Sequence, residues 1–103
     1  PLSVQEAIFK VNREDAIFLD VRDEISFKKG HIAESINIPF SELKAKLSEL
    51  DSYRERPIII NYTQGQSHYK IGRLLKNAGF TKCYHLKGGI MSWQNAALPV
   101  IKG

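Results

Sequence analysis

The middle of the chain contains an apolar segment with the sequence Pro57-Ile-Ile-Ile-Asn-Tyr62. Its β-branched residues follow one another without polar alternation, which is typical of a central strand covered by helices on both faces. A short polar stretch over residues 63–66 and a helical pattern over residues 67–78 come next. A buried strand that leads through a tight loop into a helix favours an α/β fold with a parallel sheet.

Alternating helical and strand patterns continue along the rest of the chain. Ser3 and Glu6 have the spacing of a helix capping box, and Asp23 can cap a brief helix that Gly30 ends. In all, we predict helices over residues 3–11, 23–29, 41–50, 67–78 and 90–96, and strands over residues 16–19, 35–38, 57–62 and 82–86. Strands that alternate with helices imply right-handed crossovers and a mostly parallel sheet, so the fold class is α/β.

The composition fits a single globular domain, which we place at residues 1–103. Of the 103 residues, 43% are hydrophobic and 25% are charged, so the chain has no room for a second domain and is neither disordered nor fibrous. Its wholly apolar runs, such as residues 16–19 and 58–60, are far too short to span a bilayer. We expect a cytoplasmic domain. Because the sequence opens at Pro1 rather than Met, a membrane tether upstream of Pro1 stays an alternative.

The cysteine count and the charge distribution limit the chemistry. Cys83 is the only cysteine, which excludes an intramolecular disulfide. His31, His68 and His85 have no zinc-ligand spacing with it, so we expect no metal and no cofactor. Residues 57–103 contain 6 basic and no acidic side chains. This surplus indicates either solvated lysines or a positive field that attracts a small anion or an acidic protein segment.

The loop after the central strand is the predicted binding site, because ligands of open α/β sheets bind beyond the carboxyl ends of the strands. Backbone N–H groups and a helix N-terminus would meet there, with Gly65 allowing a turn that a side chain would hinder. Such a loop can cradle an anion, although an ordinary strand-to-helix turn has the same spacing. The candidate residues are Tyr62, Thr63, Gln64, Gly65, Gln66, Ser67 and His68.

Two longer motifs resemble the rhodanese family. Residues 19–39, LDVRDEISFKKGHIAESINIP, contain an Asp-x-Arg at a strand end, an aromatic residue, Gly-His-Ile and a small-residue segment that reaches Pro39. Residues 85–99, HLKGGIMSWQNAALP, contain the closing Gly-Gly and Trp of that family. The resemblance covers nearly all of the chain and is strongest to small single-domain bacterial rhodaneses, some of which are similar domains tethered by an upstream transmembrane helix.

The resemblance implies a five-stranded, mostly parallel sheet flanked by helices on both faces, and a sulfur-transfer chemistry. Rhodaneses place a cysteine first in the loop after the fourth strand, take sulfane sulfur from a donor such as thiosulfate as a persulfide, and pass it to a thiophilic acceptor. Their loop usually has the pattern Cys-x-x-Gly-x-Arg. In this chain Gly65 keeps the glycine, whereas Tyr62 takes the cysteine position and Ser67 takes the arginine position.

These two departures predict a domain without sulfurtransferase activity. Persulfide formation requires a polarizable thiolate, whereas a phenol with an ordinary pKa of about 10 stays mostly protonated and cannot carry sulfur. We therefore expect a non-catalytic regulatory module that binds an anion or an acidic protein segment. Its expected binding residues are Tyr62, Gly65, Ser67, His68 and Arg22. The alternative is a sulfurtransferase that uses Cys83, which we expect instead to be a small buried hydrophobe in its strand.

Several residues outside the loop have two interpretations. In the resemblance, Asp20 and Arg22 lie at a strand end beside the loop, where Arg22 either contacts a ligand or forms a structural ion pair. His85 alternates with Cys83 along one strand and is predicted to be structural. His68, in the first turn of the loop helix, is either a ligand contact or an ordinary surface residue. Turn-fixing or packing roles are predicted for His31, Phe27 and Trp93.

Three other classes of function do not fit the sequence. Gly65-Gln-Ser67-His-Tyr69 has the place of a nucleophile elbow, but Tyr69 stands where a small residue is needed and no acidic residue follows. A rhodanese-related phosphatase requires the missing cysteine and a loop one residue longer. Lys70, Arg73 and Lys76 recur every three residues and could follow phosphates, but no aromatic residues interleave with them, so we expect no nucleic-acid partner.

Overall fold

The chain folds around a parallel sheet of four strands. The computed structural model describes residues 1–103. The strands are β1 (Ile17–Asp20), β2 (Ile36–Asn37), β3 (Ile58–Asn61) and β4 (Cys83–His85), and their order in the sheet is β2-β1-β3-β4. Because β3 pairs with β1 on one side and β4 on the other, the predicted central strand is confirmed.

Helices cover both faces of this sheet. They are α1 (Val4–Glu14), α2 (Glu24–Lys29), α3 (Phe40–Leu43), α4 (His68–Asn77) and α5 (Gly89–Asn95), with a 3₁₀ helix over Leu47–Tyr53. Ile58 and Ile60 pack with residues of α3, the 3₁₀ helix and α4, whereas Ile59 packs with residues of α1 and α5. All residues of β3 are buried, which explains the absence of polar alternation. The α/β fold class is confirmed.

The sheet has one strand fewer than the five that the resemblance implies. Leu2 forms a single parallel bridge to Leu86 at the edge of β4. The Leu2 amide donates to the carbonyl of His85, and the Lys87 amide donates to the carbonyl of Leu2. Ser3 then caps α1, so the chain leaves the sheet edge as a helix after one paired residue, and no fifth strand forms within residues 1–103.

The helix predicted over residues 41–50 is wrong as a single element. The α-helix covers only Phe40–Leu43, and a 3₁₀ helix follows over Leu47–Tyr53. The Lys46 amide donates to the carbonyls of both Glu42 and Leu43, where α spacing changes to 3₁₀ spacing. No side chain caps this helix at Pro39. Packing of the leucines against the sheet overrides the local helical pattern and still buries Leu43 and Leu50 completely.

The topology brings the ends of β1 and β3 together. After β1 the chain crosses to β2 on one side of it, and it later returns to β3 on the other side. Asp20 and Asn61, the last residues of β1 and β3, are register partners. Ligands of open α/β sheets bind at such a reversal of strand order. None of the helices has the length and apolar character that a bilayer crossing requires.

Candidate functional site

Gln66 fixes the loop that connects β3 to α4. Its side-chain oxygen accepts a hydrogen bond from the Thr63 amide at 3.0 Å, and its side-chain nitrogen donates to the carbonyl of Val21 at 2.7 Å. The Gln66 amide also donates to the Thr63 carbonyl at 3.0 Å. The loop is thereby closed on itself and tied to the residue after β1. This positioning role is not evident from the sequence, because glutamine at this place belongs to no motif.

The rest of the loop presents unused backbone donors. The amides of Gln64, Gly65, Ser67, His68 and Tyr69 donate to no protein acceptor. Ser67 caps α4, its hydroxyl accepting from the Lys70 amide at 3.3 Å. The positive end of the α4 dipole lies at these donors, and an anion placed against them would receive several hydrogen bonds.

The expected conformational role of Gly65 is wrong. A Cβ added to Gly65 would meet only the Thr63 hydroxyl oxygen, at 3.9 Å, and the backbone of Gly65 is not left-handed. An ordinary side chain could therefore adopt this turn, and the glycine instead leaves the surface of the loop uncovered. Gly89 is the constrained glycine of the site. Its φ is +56°, and an added Cβ would lie 3.1 Å from the Asn61 side-chain oxygen and 3.2 Å from the Tyr62 carbonyl.

Tyr62 belongs to a cluster of aromatic and imidazole rings, which we call the ring cluster: Tyr62, His68, Tyr69 and His85. The Tyr62 hydroxyl lies 3.2 Å from Nδ1 of His68. The rings of His68 and His85 stack at 4.4 Å, and His68 and Tyr69 stack at 4.5 Å. Burial lowers the pKa of His85, and the neighbouring His68 lowers it further. His85, predicted from the sequence to be structural, therefore contacts two of the candidate loop residues.

Asp20 and Arg22 form a buried ion pair. The Arg22 Nη2 donates to Oδ2 of Asp20 at 2.8 Å, and Nε donates to Oδ1 at 3.0 Å. Nη2 also donates to the carbonyl of Gly30 at 2.8 Å. The Asp20 side chain is completely buried and that of Arg22 is 7% exposed. This geometry favours the structural interpretation of Arg22, because two of its three guanidinium nitrogens are occupied within the protein.

The remaining polar and aromatic candidates have the predicted structural roles. His31 stacks on Phe27 at 3.7 Å and its Nδ1 lies 2.9 Å from the Phe27 carbonyl, so it fixes the end of α2. Trp93 packs edge-on against Phe18 and donates its indole N–H to the carbonyl of Pro99. None of the three predicted residues lies in the loop.

Cys83 lies in β4, partly buried against the core on the same side of the sheet as Ile58. Its thiol donates to the carbonyl of Phe80 at 3.4 Å. Burial raises the pKa of this thiol to about 11. Because the thiolate is the nucleophilic form, Cys83 is poorly suited to attack a sulfur donor near neutral pH.

A cleft of about 460 Å³ lies between the loop and the Gly88-Gly89 turn. Tyr62, Gly65, Gly89 and Met91 line it, and none of its lining residues is acidic. Met91 is 66% exposed. The cleft is thus accessible from solvent, and Arg22 is the only charged residue that lines it.

Comparison with known proteins agrees with this architecture. The model of the rhodanese-like domain family matches residues 3–96. Over 99 residues, the chain is 37% identical to YibN, an uncharacterized protein of Escherichia coli K12, covering 95% of the chain and 69% of that protein. It is 29% identical to the thiosulfate sulfurtransferase GlpE of Coxiella burnetii, covering 90% of the chain and 85% of that protein. A rhodanese-related protein of Thermoplasma volcanium superimposes with a TM-score of 0.81 at 27% identity, covering 99% and 97% of the two chains. The chain belongs to the rhodanese-like domain family.

Proposed function

We propose that this rhodanese-like domain does not transfer sulfur and instead binds a small anion or an acidic protein segment at residues 62–68. The observation that carries the proposal is Tyr62. It is the first residue after β3, and its hydroxyl lies 3.2 Å from Nδ1 of His68. A phenol held in this way offers a hydrogen-bonding group at the first residue of the loop, but it offers no thiolate that could carry sulfur.

The loop supports the binding half of the proposal. Amides at positions 64, 65, 67, 68 and 69 have no protein acceptor, and they lie at the positive end of α4. The neighbouring cleft has no acidic lining residue. The Thr63 amide is already used by Gln66, so the donors for an anion come from the later part of the loop.

A sulfurtransferase that uses Cys83 is the second candidate. It is favoured by the relative named as a thiosulfate sulfurtransferase and by the position of Cys83 in a surface groove that His68 and His85 also line. The raised pKa of the thiol and its hydrogen bond to the Phe80 carbonyl weigh against it. We therefore prefer the binding module to a sulfurtransferase that uses Cys83.

The binding proposal can be tested by following backbone amide signals while phosphate or thiosulfate is added to the ¹⁵N-labelled domain. We expect the largest shifts at residues 64–69. Gln64→Glu should weaken them, because it places a carboxylate on the lining of the cleft at an exposed position whose side chain makes no hydrogen bond. Gln5→Glu makes the same charge change on exposed α1 and should leave binding intact. Shifts spread evenly over the lysine-rich surface, or equal loss in both variants, would contradict a site in the loop.

A further inference from the structure

A second concave surface adjoins the proposed anion site and shares His68 with it. It is a groove of about 570 Å³ between α4 and β4. The α4 wall contains Tyr69, Gly72, Arg73 and Lys76, and the β4 wall contains His85. A Cβ added to Gly72 would meet nothing within 4 Å, so the α4 wall of the groove leaves open space at that point. We call this surface the α4–β4 groove.

The α4–β4 groove is positively charged. Arg73 and Lys76 are exposed and take part in no salt bridge. None of the lining residues is acidic, and residues 57–103 contain no acidic side chain at all. Cations without local partners in a concave surface attract a polyanion.

The groove also contains a stacking platform. Tyr69 is 73% exposed and lies against His68 at 4.5 Å, while His68 stacks on His85 at 4.4 Å. One face of the Tyr69 ring is thus supported from behind while much of the side chain remains accessible to solvent. Tyr69, Arg73 and Lys76 are spaced by four and three residues on α4, which places the ring and both cations along one side of the helix.

We propose that the α4–β4 groove binds a short segment of single-stranded nucleic acid, with a base on Tyr69 and phosphates at Arg73 and Lys76. Single-strand sites combine a basic groove with exposed aromatic rings on which unpaired bases stack. A duplex cannot use the platform, because its bases are already stacked. An acidic peptide would be attracted by the charges but would leave the ring platform unused.

This inference differs from the sequence expectation of no nucleic-acid partner. That expectation rested on a basic stripe without interleaved aromatic residues. The fold supplies the rings from two places, the first turn of α4 and the neighbouring strand β4. The rings and the cations of the basic stripe come together only at the groove, where stacking and phosphate contacts can act on the same strand.

The test is fluorescence anisotropy of a short labelled oligouridylate with the purified domain at several salt concentrations. If Arg73 and Lys76 each contact a phosphate, the logarithm of the binding constant should fall with the logarithm of the salt concentration with a slope of about −1.4. Tyr69→Ala should weaken binding about tenfold. A duplex of equal length should bind more weakly, and the Tyr69→Ala change should not affect it.

Three further variants separate binding in the groove from attraction by the net charge of the domain. Arg73→Gln/Lys76→Gln should weaken binding and flatten the salt dependence. Lys29→Gln/Lys44→Gln removes the same charge from exposed positions in the first half of the chain and should have little effect. Gly72→Met should block the groove without lowering the melting temperature, because its Cβ has open space and methionine favours a helix more than glycine does.

Three results would overturn the inference. The first is no oligouridylate binding at low salt by a folded domain. The second is equal weakening by the two charge pairs, or no effect of Tyr69→Ala, since either means binding through net charge alone. The third is tighter binding of a glutamate-rich peptide than of the oligonucleotide. Gln64→Glu, which tests the loop, is expected to leave Tyr69-dependent binding in place, so the two proposals can fail separately.

Discussion

The ion pair of Asp20 and Arg22 illustrates how two residues hold the site in place. The carboxylate of Asp20 is completely buried, and Arg22 joins it to the carbonyl of Gly30 after α2. Asn61 adds a donor at 3.3 Å from the end of β3. The pair therefore connects the ends of the two strands from which the loop site is built.

Breaking this ion pair should be costly. We expect Arg22→Met to lower the free energy of unfolding by about 3–5 kcal/mol, because it leaves a buried carboxylate without its partner. Asp20→Asn combined with Arg22→Met should lower it by less than the sum of the two single changes. Urea unfolding of the four proteins measures the coupling. Additive losses would show that the pair does not act as a unit.

Cys83 gives a second prediction for a single residue. Since burial raises the pKa of its thiol to about 11, iodoacetamide should label it far more slowly in the folded domain than in the urea-unfolded chain at about pH 7.5. Mass spectrometry at timed intervals measures both rates. Equal rates would contradict the burial of Cys83 and would revive it as a sulfur carrier.

The sequence predicted some of these residues better than others. Arg22 was ambiguous, because an Asp-x-Arg motif does not reveal whether the guanidinium turns inward or toward solvent. The positioning role of Gln66 could not be distinguished from the roles of the other loop residues, since it depends on a carbonyl 45 positions away in the chain. Gly65 was misjudged, because the need for glycine depends on backbone angles that sequence spacing does not determine.

The loop between β3 and α4 depends on one side chain for its shape. Gln66 makes two hydrogen bonds through its amide group, one within the loop and one to the residue after β1. Gln64 is exposed and its side chain makes none. The two glutamines therefore form a matched pair for testing the loop.

Removal of the Gln66 side chain should loosen this element. We expect Gln66→Ala to lower the free energy of unfolding by about 1–3 kcal/mol, because the Thr63 amide and the Val21 carbonyl lose their partner. Hydrogen exchange at the Thr63 amide should become faster. Gln64→Ala should change stability by no more than about 0.5 kcal/mol. Similar effects of the two changes would indicate that Gln66 does not hold the loop.

The helices show where local signals are sufficient. Ser3 and Glu6 form the complete capping box of α1, and Asp23 caps α2, both as predicted. The N-terminus of each of these helices is determined by residues three positions apart, so the sequence alone predicts it. The segment after Pro39 carries no such cap, and its break into α3 and a 3₁₀ helix depends on how its leucines pack against the sheet.

The fold as a whole was predictable, whereas the ring cluster was not. The unalternating strand β3 and the regular succession of helices and strands imply a parallel sheet covered on both faces. The meeting of Tyr62, His68 and His85 requires the register of β3 with β4 and the position of α4. No local pattern contains that information.

The partly buried imidazole of His85 predicts how the stability of the domain depends on pH. Its pKa lies below the ordinary value of 6.5, so the unfolded chain binds more protons and stability should fall as the pH drops through about 6.5. The carboxyls of Glu6, Asp23 and Glu24, whose pKa values are lowered by hydrogen bonds, lose their contribution only at more acidic pH.

Thermal unfolding between about pH 7.5 and pH 5.5 tests this dependence. We expect the melting temperature to fall on acidification, and His85→Gln should reduce that fall. A melting temperature that rises as the pH falls, or a drop that His85→Gln leaves unchanged, would contradict the assignment to His85.

The most direct test of the central claim is mass spectrometry of the domain after incubation with thiosulfate, beside the variants Tyr62→Cys and Cys83→Ser. If Tyr62 takes the place of the sulfur carrier, the parent protein should gain no sulfur, and Tyr62→Cys should gain a persulfide at residue 62. A parent protein that gains sulfur on Cys83, and loses this ability on Cys83→Ser, would contradict the account and identify an active sulfurtransferase.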